Sequence, residues 1–457
     1  MKVKLSQFEH IYFLGIGGIG MSALARYFNV SNKEVSGYDR TPSKLTDQLI
    51  DEGISIHFED KGEKIIEEVA DIENTLVVYT PAIPLDMQEK QVFESNGYTM
   101  MKRSAVLGLI TESFKSLAVA GTHGKTTTSA MLAHVLMQTE EKCNAFLGGI
   151  STNYNSNLII EKDSNIAVVE ADEFDKSFLK LSPFASILTS TDADHLDIYK
   201  NADSLKQTFQ EYADLLPDDG CLVLQHEITL RSKAKIISYG VNTLDENVVF
   251  RGNNLRVEDG YFLMDVETPN GMWEAVQMGV PGIHNAENAL GVIALCDFLG
   301  FDEKVIRDGL SSFQGVKRRF EYHVRNRDLV FIDDYAHHPT AINSLIASVR
   351  LLHPNLPITA IFQPHLFSRT ADFLDEFAAS LDSADQVYLL PIYPAREKPI
   401  EGVTSFAIKE KMKNSNAEVI ENQEVLERVE AIQEGVVLTI GAGNIDQVVQ
   451  PIKELLS

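Results

Sequence analysis

The chain has 457 residues, 44% apolar and 23% charged, with 28 glycines and 15 prolines. This is ordinary globular usage, which excludes collagen-like, coiled-coil or extensively disordered character, and at roughly 150 residues per domain it predicts about three domains. A net charge of −26 argues against nucleic acid or an anionic membrane as partner.

The three cysteines, Cys143, Cys221 and Cys296, lie far apart with no CxxC pair. That spacing argues against a disulfide framework or zinc site and favours a reducing cytoplasm. No run approaches the ~18 apolar residues of a membrane span, and the amino terminus passes straight into a glycine-rich turn, so it reads as folded domain rather than signal peptide.

In chain order, His10–Leu14 reads as a strand. A glycine-rich turn follows, then a helix whose Met21, Leu24, Ala25 and Phe28 fall at i, i+3, i+4 and i+7. Glu34–Tyr38 and Thr75–Tyr79 read as further strands, and strands alternating with helices predict a parallel sheet with right-handed crossovers. A second unit opens with a strand at 116–120, the turn GTHGKTTT, and a helix carrying the pairs Met131/Val135 and Leu132/Leu136. Strand-like runs continue at 166–169 and 185–188. From about 223 to 276 the pattern is shorter and rich in turns, which predicts an antiparallel insert or edge, and a helix at 285–299 closes the unit. From Gly315 the chain repeats strand, loop and helix through LVFIDD, ITAIFQP, VYLLPI and VVLTIGAG. The expectation is an α/β protein of three tandem domains, 1–107, 108–314 and 315–457.

The strongest local signal is Gly121-Thr122-His123-Gly124-Lys125-Thr126-Thr127 between a strand and a helix. Glycines let backbone N–H groups turn inward around phosphate oxygens, and the following helix presents its positive end. Lys125 adds a cation for the β and γ oxygens, and the Thr126 hydroxyl suits Mg²⁺. The usual pattern wants a glycine where Val119 stands. The pattern points to a bound nucleoside triphosphate. A phosphate-bound metal needs oxygen ligands, and Glu170 closes the run IAVVEAD while His195 follows the next strand in TSTDADHLD. Both read as metal ligands. A solvated acidic loop around Glu170, Asp172, Glu173 and Asp175, and a capping or core role for His195, remain the alternatives.

Gly15, Gly17, Gly18 and Gly20 sit in GIGGIG, a G-x-G-x-x-G run between strand and helix, and Asp39 ends the next strand, where a ribose-binding carboxylate belongs. Taken locally, this fits NAD. The physics asks only for a pyrophosphate at a helix start and a ribose beside it, which a UDP-sugar also supplies. A dehydrogenase has little use for a triphosphate loop, so a nucleotide-linked substrate is the expectation.

With both loops read in order, the chain resembles the Mur ligase family of peptidoglycan synthesis. The resemblance covers essentially all of the sequence and rests on GIGGIGMSALA, VAGTHGKTTT, VVEADE, DADHLD, GIHNAENAL, GVKRRF, DDYAHHPTAI, FQPHLFSRT and YPAREKPIEGV in that order. The family uses the AGTHGKT form, which accounts for Val119. Within it the strings are most similar to members that add L-alanine to UDP-N-acetylmuramate.

The resemblance implies a Rossmann-like UDP-sugar domain, a central P-loop ATPase-type domain and a carboxy-terminal Rossmann-like domain. It also implies ATP and Mg²⁺ as cofactors, UDP-N-acetylmuramate and L-alanine as substrates, a cytoplasmic location, and a monomer or homodimer. Carried over residue by residue, Lys125 and Thr126 belong to the phosphate loop, Glu170 and His195 to the metal sites, and Asn285 and Asn288 to the nucleotide. Arg319 falls at the joint before the third domain, Asp334 at the ribose and Tyr335 at the adenine. His365, Arg369 and Arg396 follow third-domain strands and would contact the amino acid or UDP-sugar. Rival readings are a ligase of the same family that takes a preformed tripeptide, and a nucleotide-binding regulator without catalysis.

Overall fold

A computed structural model describes residues 3–69, 71–192, 202–395 and 397–457. The chain packs as two units: Met1–Gly252 with Glu267–Met272 and Asn288–Leu310, and Asn253–Val266 with Trp273–Glu287 and Ser311–Ser457.

The first unit opens with a five-stranded sheet ordered Ser55–His57, Glu34–Tyr38, His10–Leu14, Thr75–Tyr79, Thr99–Lys102. All its pairings are parallel. The strand order reverses beside His10–Leu14, and the glycine-rich turn leaves the carboxyl end of that strand, where open α/β sheets bind ligands. The three strands expected from sequence fall on their expected bounds. The two edge strands, three and four residues long and half-exposed, lack the apolar run that marks the others.

A second sheet in this unit is built on Lys115–Ala120, flanked in parallel by Ile166–Ala171 and Pro183–Leu188. Beyond Ile166–Ala171 it continues through Asn144–Ser151, which turns back antiparallel into Ser156–Ile159. On the other side lie Cys221–Gln225 and Lys235–Val241, both parallel. The antiparallel insert expected from residue 223 therefore starts later than the turn-rich sequence implied. Lys235–Val241 still belongs to the parallel sheet, and Phe250–Glu258 begins parallel to it. The tight return comes at Asp259-Gly260, with φ of 50° and 79°, the paired positive values of a two-residue hairpin turn.

Helix Ile19–Val30 does more than cover its own sheet. One continuous apolar core runs from Phe8 through Phe28 and Val106 to Phe146, Leu158 and Leu224. Asn157, fully buried, donates from Nδ2 to the Ile19 carbonyl at 2.6 Å and to Ser22 Oγ at 2.9 Å, and accepts from Arg26. Helix Arg103–Thr111 spans the expected division at 107.

The second unit holds a six-stranded sheet ordered Glu321–Arg325, Leu329–Asp334, Gly435–Ile440, Ile358–Phe362, Gln386–Leu389, Ala417–Val419. Only the first pairing is antiparallel. Among the described residues no helix is long and apolar enough to cross a membrane. The three cysteines are free and buried, and burial pushes their thiols up, as expected of inert packing residues.

Candidate active site

The phosphate loop leaves strand Lys115–Ala120 and enters helix Lys125–Leu136. Gly121 and Gly124 take φ of 133° and 79°. At Gly121 a Cβ would strike Thr189 Oγ1 and the Ser190 backbone; at Gly124 it would come within 2.7 Å of Asn288 Oδ1. Glycine is thus required twice, for conformation and for room, and the second crowding partner is the asparagine expected at the nucleotide. Ser190, which drew no attention in the sequence, clamps the loop. Its Oγ accepts from the His123 N–H at 2.9 Å and lies 2.9 Å from Thr122 Oγ1, while its carbonyl accepts from the Thr122 N–H at 3.1 Å.

Lys125 Nζ donates to the Gly121 carbonyl and to Glu173 Oε2, each at 2.7 Å. Burial of the ammonium acts to lower its pKa. The carboxylates of Glu173, Glu170 and Asp172 outweigh it and hold the pKa above its ordinary value, so the lysine stays charged. Glu173 is fully buried, whereas the side chains of Asp172 and Asp175 are 39% and 43% exposed. The solvated-loop alternative therefore fails at Glu173.

The sheet register places Glu170 opposite Val119 and Ala171 opposite Ala120, so Glu170 stands beside the mouth of the loop. Its carboxylate lies over Gly148 of the neighbouring strand, where a Cβ would collide with both carboxylate oxygens. The Thr126 hydroxyl, in the first turn of the helix after the loop, and the Glu170 carboxylate are hard oxygens of the kind Mg²⁺ takes. Nothing but hydrogen at position 148 leaves Glu170 in this place, so the residues fit the group. His195 lies outside the described residues.

In the glycine-rich turn, only Gly15 has positive φ, at 88°. Asp39 Oδ2 accepts from the Gly17 N–H at 2.7 Å and Oδ1 from the Thr41 N–H at 3.3 Å. At Gly17 a Cβ would meet this carboxylate at 2.9 Å; at Gly18 there is no close obstacle. Asp39 thus pins the turn. Replacing Asp39 with alanine should weaken UDP-sugar binding and spare ATP. Titration calorimetry with each nucleotide reads this directly, and an equal loss for both would remove Asp39 from the substrate site.

In the second unit, Arg318 and Phe320 adopt φ of 62° and 49°, a left-handed pair that brackets Arg319. The conformation is held by Asp334, whose two oxygens accept from the Phe320 and Ala336 N–H groups at 2.7 Å each, and by Arg318, which bonds to the Gly441 carbonyl and to Asp333. Asp334 is not the cap of the following helix. His338 is the N-cap, its ring accepting from Thr340. The Arg319 guanidinium lies 4.8 Å from the centre of the Tyr335 ring, and its charge offsets part of the upward push that burial gives the Asp334 carboxyl.

His284 and Asn285 sit at the start of helix Ile283–Phe298, where Asn285 Nδ2 donates to the Pro281 carbonyl at 2.7 Å. At the carboxyl ends of the sheet, His365 stacks on Tyr393 at 5.6 Å and meets His337 edge-on at 6.3 Å. Arg369 lies one turn beyond, in helix Phe367–Asp372. Arg396 lies outside the described residues.

Two histidines here are part-buried and neutral. Burial, with Arg319 nearby, lowers His284 to about 4; burial, with Arg369 and Arg319 nearby, lowers His337 to about 3. Between those values and an unfolded value of about 6.5, the unfolded chain binds the proton and the native one does not, so stability falls as pH falls. Each such histidine costs about 1–2 kcal/mol on going from pH 7 to pH 5. The melting temperature should therefore drop over that interval, and the double variant His284→Asn/His337→Asn should flatten the drop. An unchanged pH slope in that variant would contradict the assignment.

Three family models cover these regions in chain order. The Mur ligase family catalytic domain matches residues 10–115, the Mur ligase middle domain 119–296, and the Mur ligase glutamate ligase domain 318–443. The chain belongs to the Mur ligase family. Among curated relatives, the UDP-N-acetylmuramate–L-alanine ligase of Flavobacterium johnsoniae is 47% identical over 456 residues, covering 100% of this chain and 99% of its own. That of Parabacteroides distasonis is 45% identical over 458 residues, covering 99% and 98%. Among solved structures, the UDP-N-acetylmuramate-alanine ligase MurC of Thermotoga maritima superposes with a TM-score of 0.84 at 28% identity, over 97% of this chain and 98% of that one. A murein peptide ligase from Psychrobacter arcticus shares the fold, with a TM-score of 0.69 at 23% identity over 98% of each chain. As a Mur ligase the chain is an ATP-dependent ligase.

Proposed function

We propose that this Mur ligase joins L-alanine to the lactyl carboxylate of UDP-N-acetylmuramate, through an acyl phosphate. The observation that carries the proposal is the phosphate loop with a buried, charged Lys125 beside Glu170, in a unit that also holds a glycine-rich nucleotide turn. The relatives at 45–47% identity over nearly the whole chain act on these substrates by name. We assign residues 1–107 to the UDP-sugar, 108–314 to ATP and 315–457 to the closing domain.

A carboxylate is a poor acyl donor, because its leaving group would be oxide. In the first step a lactyl carboxylate oxygen bonds to the γ-phosphorus and the bond to the β–γ bridging oxygen breaks, releasing ADP. In the second the amine bonds to the acyl carbon, the C–O bond to phosphate breaks, and the ammonium proton passes to solvent or a nearby base. The first step brings two anions together, a repulsion of about 1 kcal/mol at 4 Å in water and several times that in a protein site. Lys125, fixed by Gly121 and Glu173, supplies a permanent counter-charge where negative charge accumulates. We assign Arg319, held over Tyr335, as a second cation. Mg²⁺ held by Thr126 and Glu170, with His195 as a further ligand, would supply charge neutralisation for the phosphates. We assign Asn285, Asn288, Asp334 and Tyr335 to the nucleotide, and His365, Arg369 and Arg396 to the substrate's anionic groups. A cytoplasmic monomer or homodimer completes the proposal.

Phosphate release with ATP, Mg²⁺ and UDP-N-acetylmuramate, offered L-alanine or the preformed tripeptide in separate reactions, tests the substrate. Release driven by L-alanine is expected. Release driven by the tripeptide alone would transfer the chain to the recycling branch, and release with neither would leave only nucleotide binding.

A further inference from the structure

Arg103 begins helix Arg103–Thr111, just after the last strand of the first sheet. Its side chain reaches the opposite wall of the glycine-rich turn. A Cβ on Gly20 would come within 3.0 Å of Arg103 Nη1 and 3.2 Å of its Cδ. Gly20 lies in the first turn of helix Ile19–Val30, so the guanidinium sits against the end of that helix that favours anions. The turn's own donors are partly committed: the Gly17 N–H to Asp39, and the Gly18 N–H to the Gly15 carbonyl at 3.2 Å. No acidic residue lies in the first helical turn.

On its other side Arg103 faces a recess lined by Ser104, Glu170, Asp172, Ser177 and Phe178. Its nearest carboxylate there is Asp172, at 3.9 Å, with side-chain exposures of 23% and 39%. A contact that long and that wet contributes little to stability. Arg103 donates no hydrogen bond to any described residue, so its planar fork of donors is available to a ligand.

We infer that Arg103 is a substrate-binding residue of the UDP-sugar site, whose guanidinium holds the substrate's diphosphate against the start of helix Ile19–Val30. The inference rests on the UDP-sugar reading proposed above. A diphosphate carries two or more negative charges, and a turn whose Gly15, Ile16, Gly17 and Gly18 amides are already bonded needs a cation to meet them. A bidentate guanidinium–phosphate contact is the geometry an arginine provides and a lysine does not. The same side chain stands between the glycine-rich turn and Glu170, which links the place where the nucleotide is held to the place where its acid group reacts.

The test measures binding of UDP, UDP-N-acetylglucosamine and UDP-N-acetylmuramate to the full chain and to its Arg103→Met and Arg103→Lys variants. The three ligands share the diphosphate, and only the last has the lactyl carboxylate. For Arg103→Met, affinity should fall about tenfold to a hundredfold for all three ligands alike, the worth of charge-assisted hydrogen bonds, with ATP affinity unchanged. Arg103→Lys should recover part of the loss by keeping the charge, and KM for the UDP-sugar should rise while kcat holds. A loss confined to UDP-N-acetylmuramate would move the guanidinium to the carboxylate and overturn the assignment. Unchanged affinity for all three, with only a lowered melting temperature, would overturn it in favour of a structural Arg103–Asp172 link. Wild-type chain that binds none of the three would overturn the UDP-sugar reading itself.

Discussion

Replacing Lys125 with alanine is expected to lower turnover by about a thousandfold or more, the scale of a lost transition-state cation in phosphoryl transfer. UDP-sugar affinity should stay within about twofold, because the glycine-rich turn holds none of its contacts through Lys125. The variant should also lose stability. Glu173 is fully buried and pairs with Lys125 at 2.7 Å, and removing one member of a buried pair leaves the other charge uncompensated, at about 3–5 kcal/mol. The double variant Lys125→Met/Glu173→Gln removes both charges and should recover most of the melting temperature without recovering activity. Stopped turnover with restored stability would separate the chemical role of the lysine from its structural one. Parallel recovery of both would show that Lys125 only holds the loop together.

Gly148→Ala is the second change of large expected effect, and it removes no charged group. A methyl at that position would collide with the Glu170 carboxylate from the adjacent strand. Glu170 must then rotate away, and displacement of a reacting-site group by about 1 Å costs on the order of a hundredfold in rate. The strand is part-exposed at 148, so the fold should survive. Steady-state kinetics over a range of Mg²⁺ concentrations should show a lower kcat and a weaker response to the metal, with the circular dichroism spectrum unchanged. Wild-type kinetics in Gly148→Ala would mean that Glu170 can do its work from another position, or has none there.

These two residues mark the boundary of what the sequence disclosed. Lys125 and Gly121 announce themselves because the loop's requirements are local: positive φ, a cation and a helix start within eight residues. The same holds for the strands His10–Leu14 and Thr75–Tyr79, whose apolar runs are buried on both faces. Gly148, Glu173, Ser190 and Arg103 act only through neighbours 20 to 85 positions away, and nothing in their own surroundings sets them apart. Glu173 read as a member of a wet acidic run because three of the residues around it are acidic, yet the turn that follows, with Asp175 and Lys176 at φ of 52° and 54°, folds it inward onto Lys125. The use of Gly148 in LGGIS appears only once Glu170 is laid across it.

Arg318 and Arg319 divide the same way. The KRRF string promised one basic residue at the joint before the third domain, and the structure shows the first arginine bonded to Asp333 and the Gly441 carbonyl, with both guanidinium groups over the Tyr335 ring. Helix Arg103–Thr111 runs through the expected division at 107, and the packing on either side of it was hidden for a related reason. Helix Ile19–Val30 buries Arg26 and Ser22 against Asn157, and no local pattern signals that a first-sheet helix has a partner more than a hundred residues on.

The most direct test follows the oxygen atoms. UDP-N-acetylmuramate labelled with ¹⁸O in both lactyl carboxylate oxygens is turned over with ATP, Mg²⁺ and L-alanine, and the released phosphate is weighed by mass spectrometry. One ¹⁸O per phosphate is expected, since the oxygen that attacked the γ-phosphorus leaves with it. Unlabelled phosphate formed alongside the amide product would contradict an acyl phosphate, and with it the role given to the charged loop at the centre of the chain.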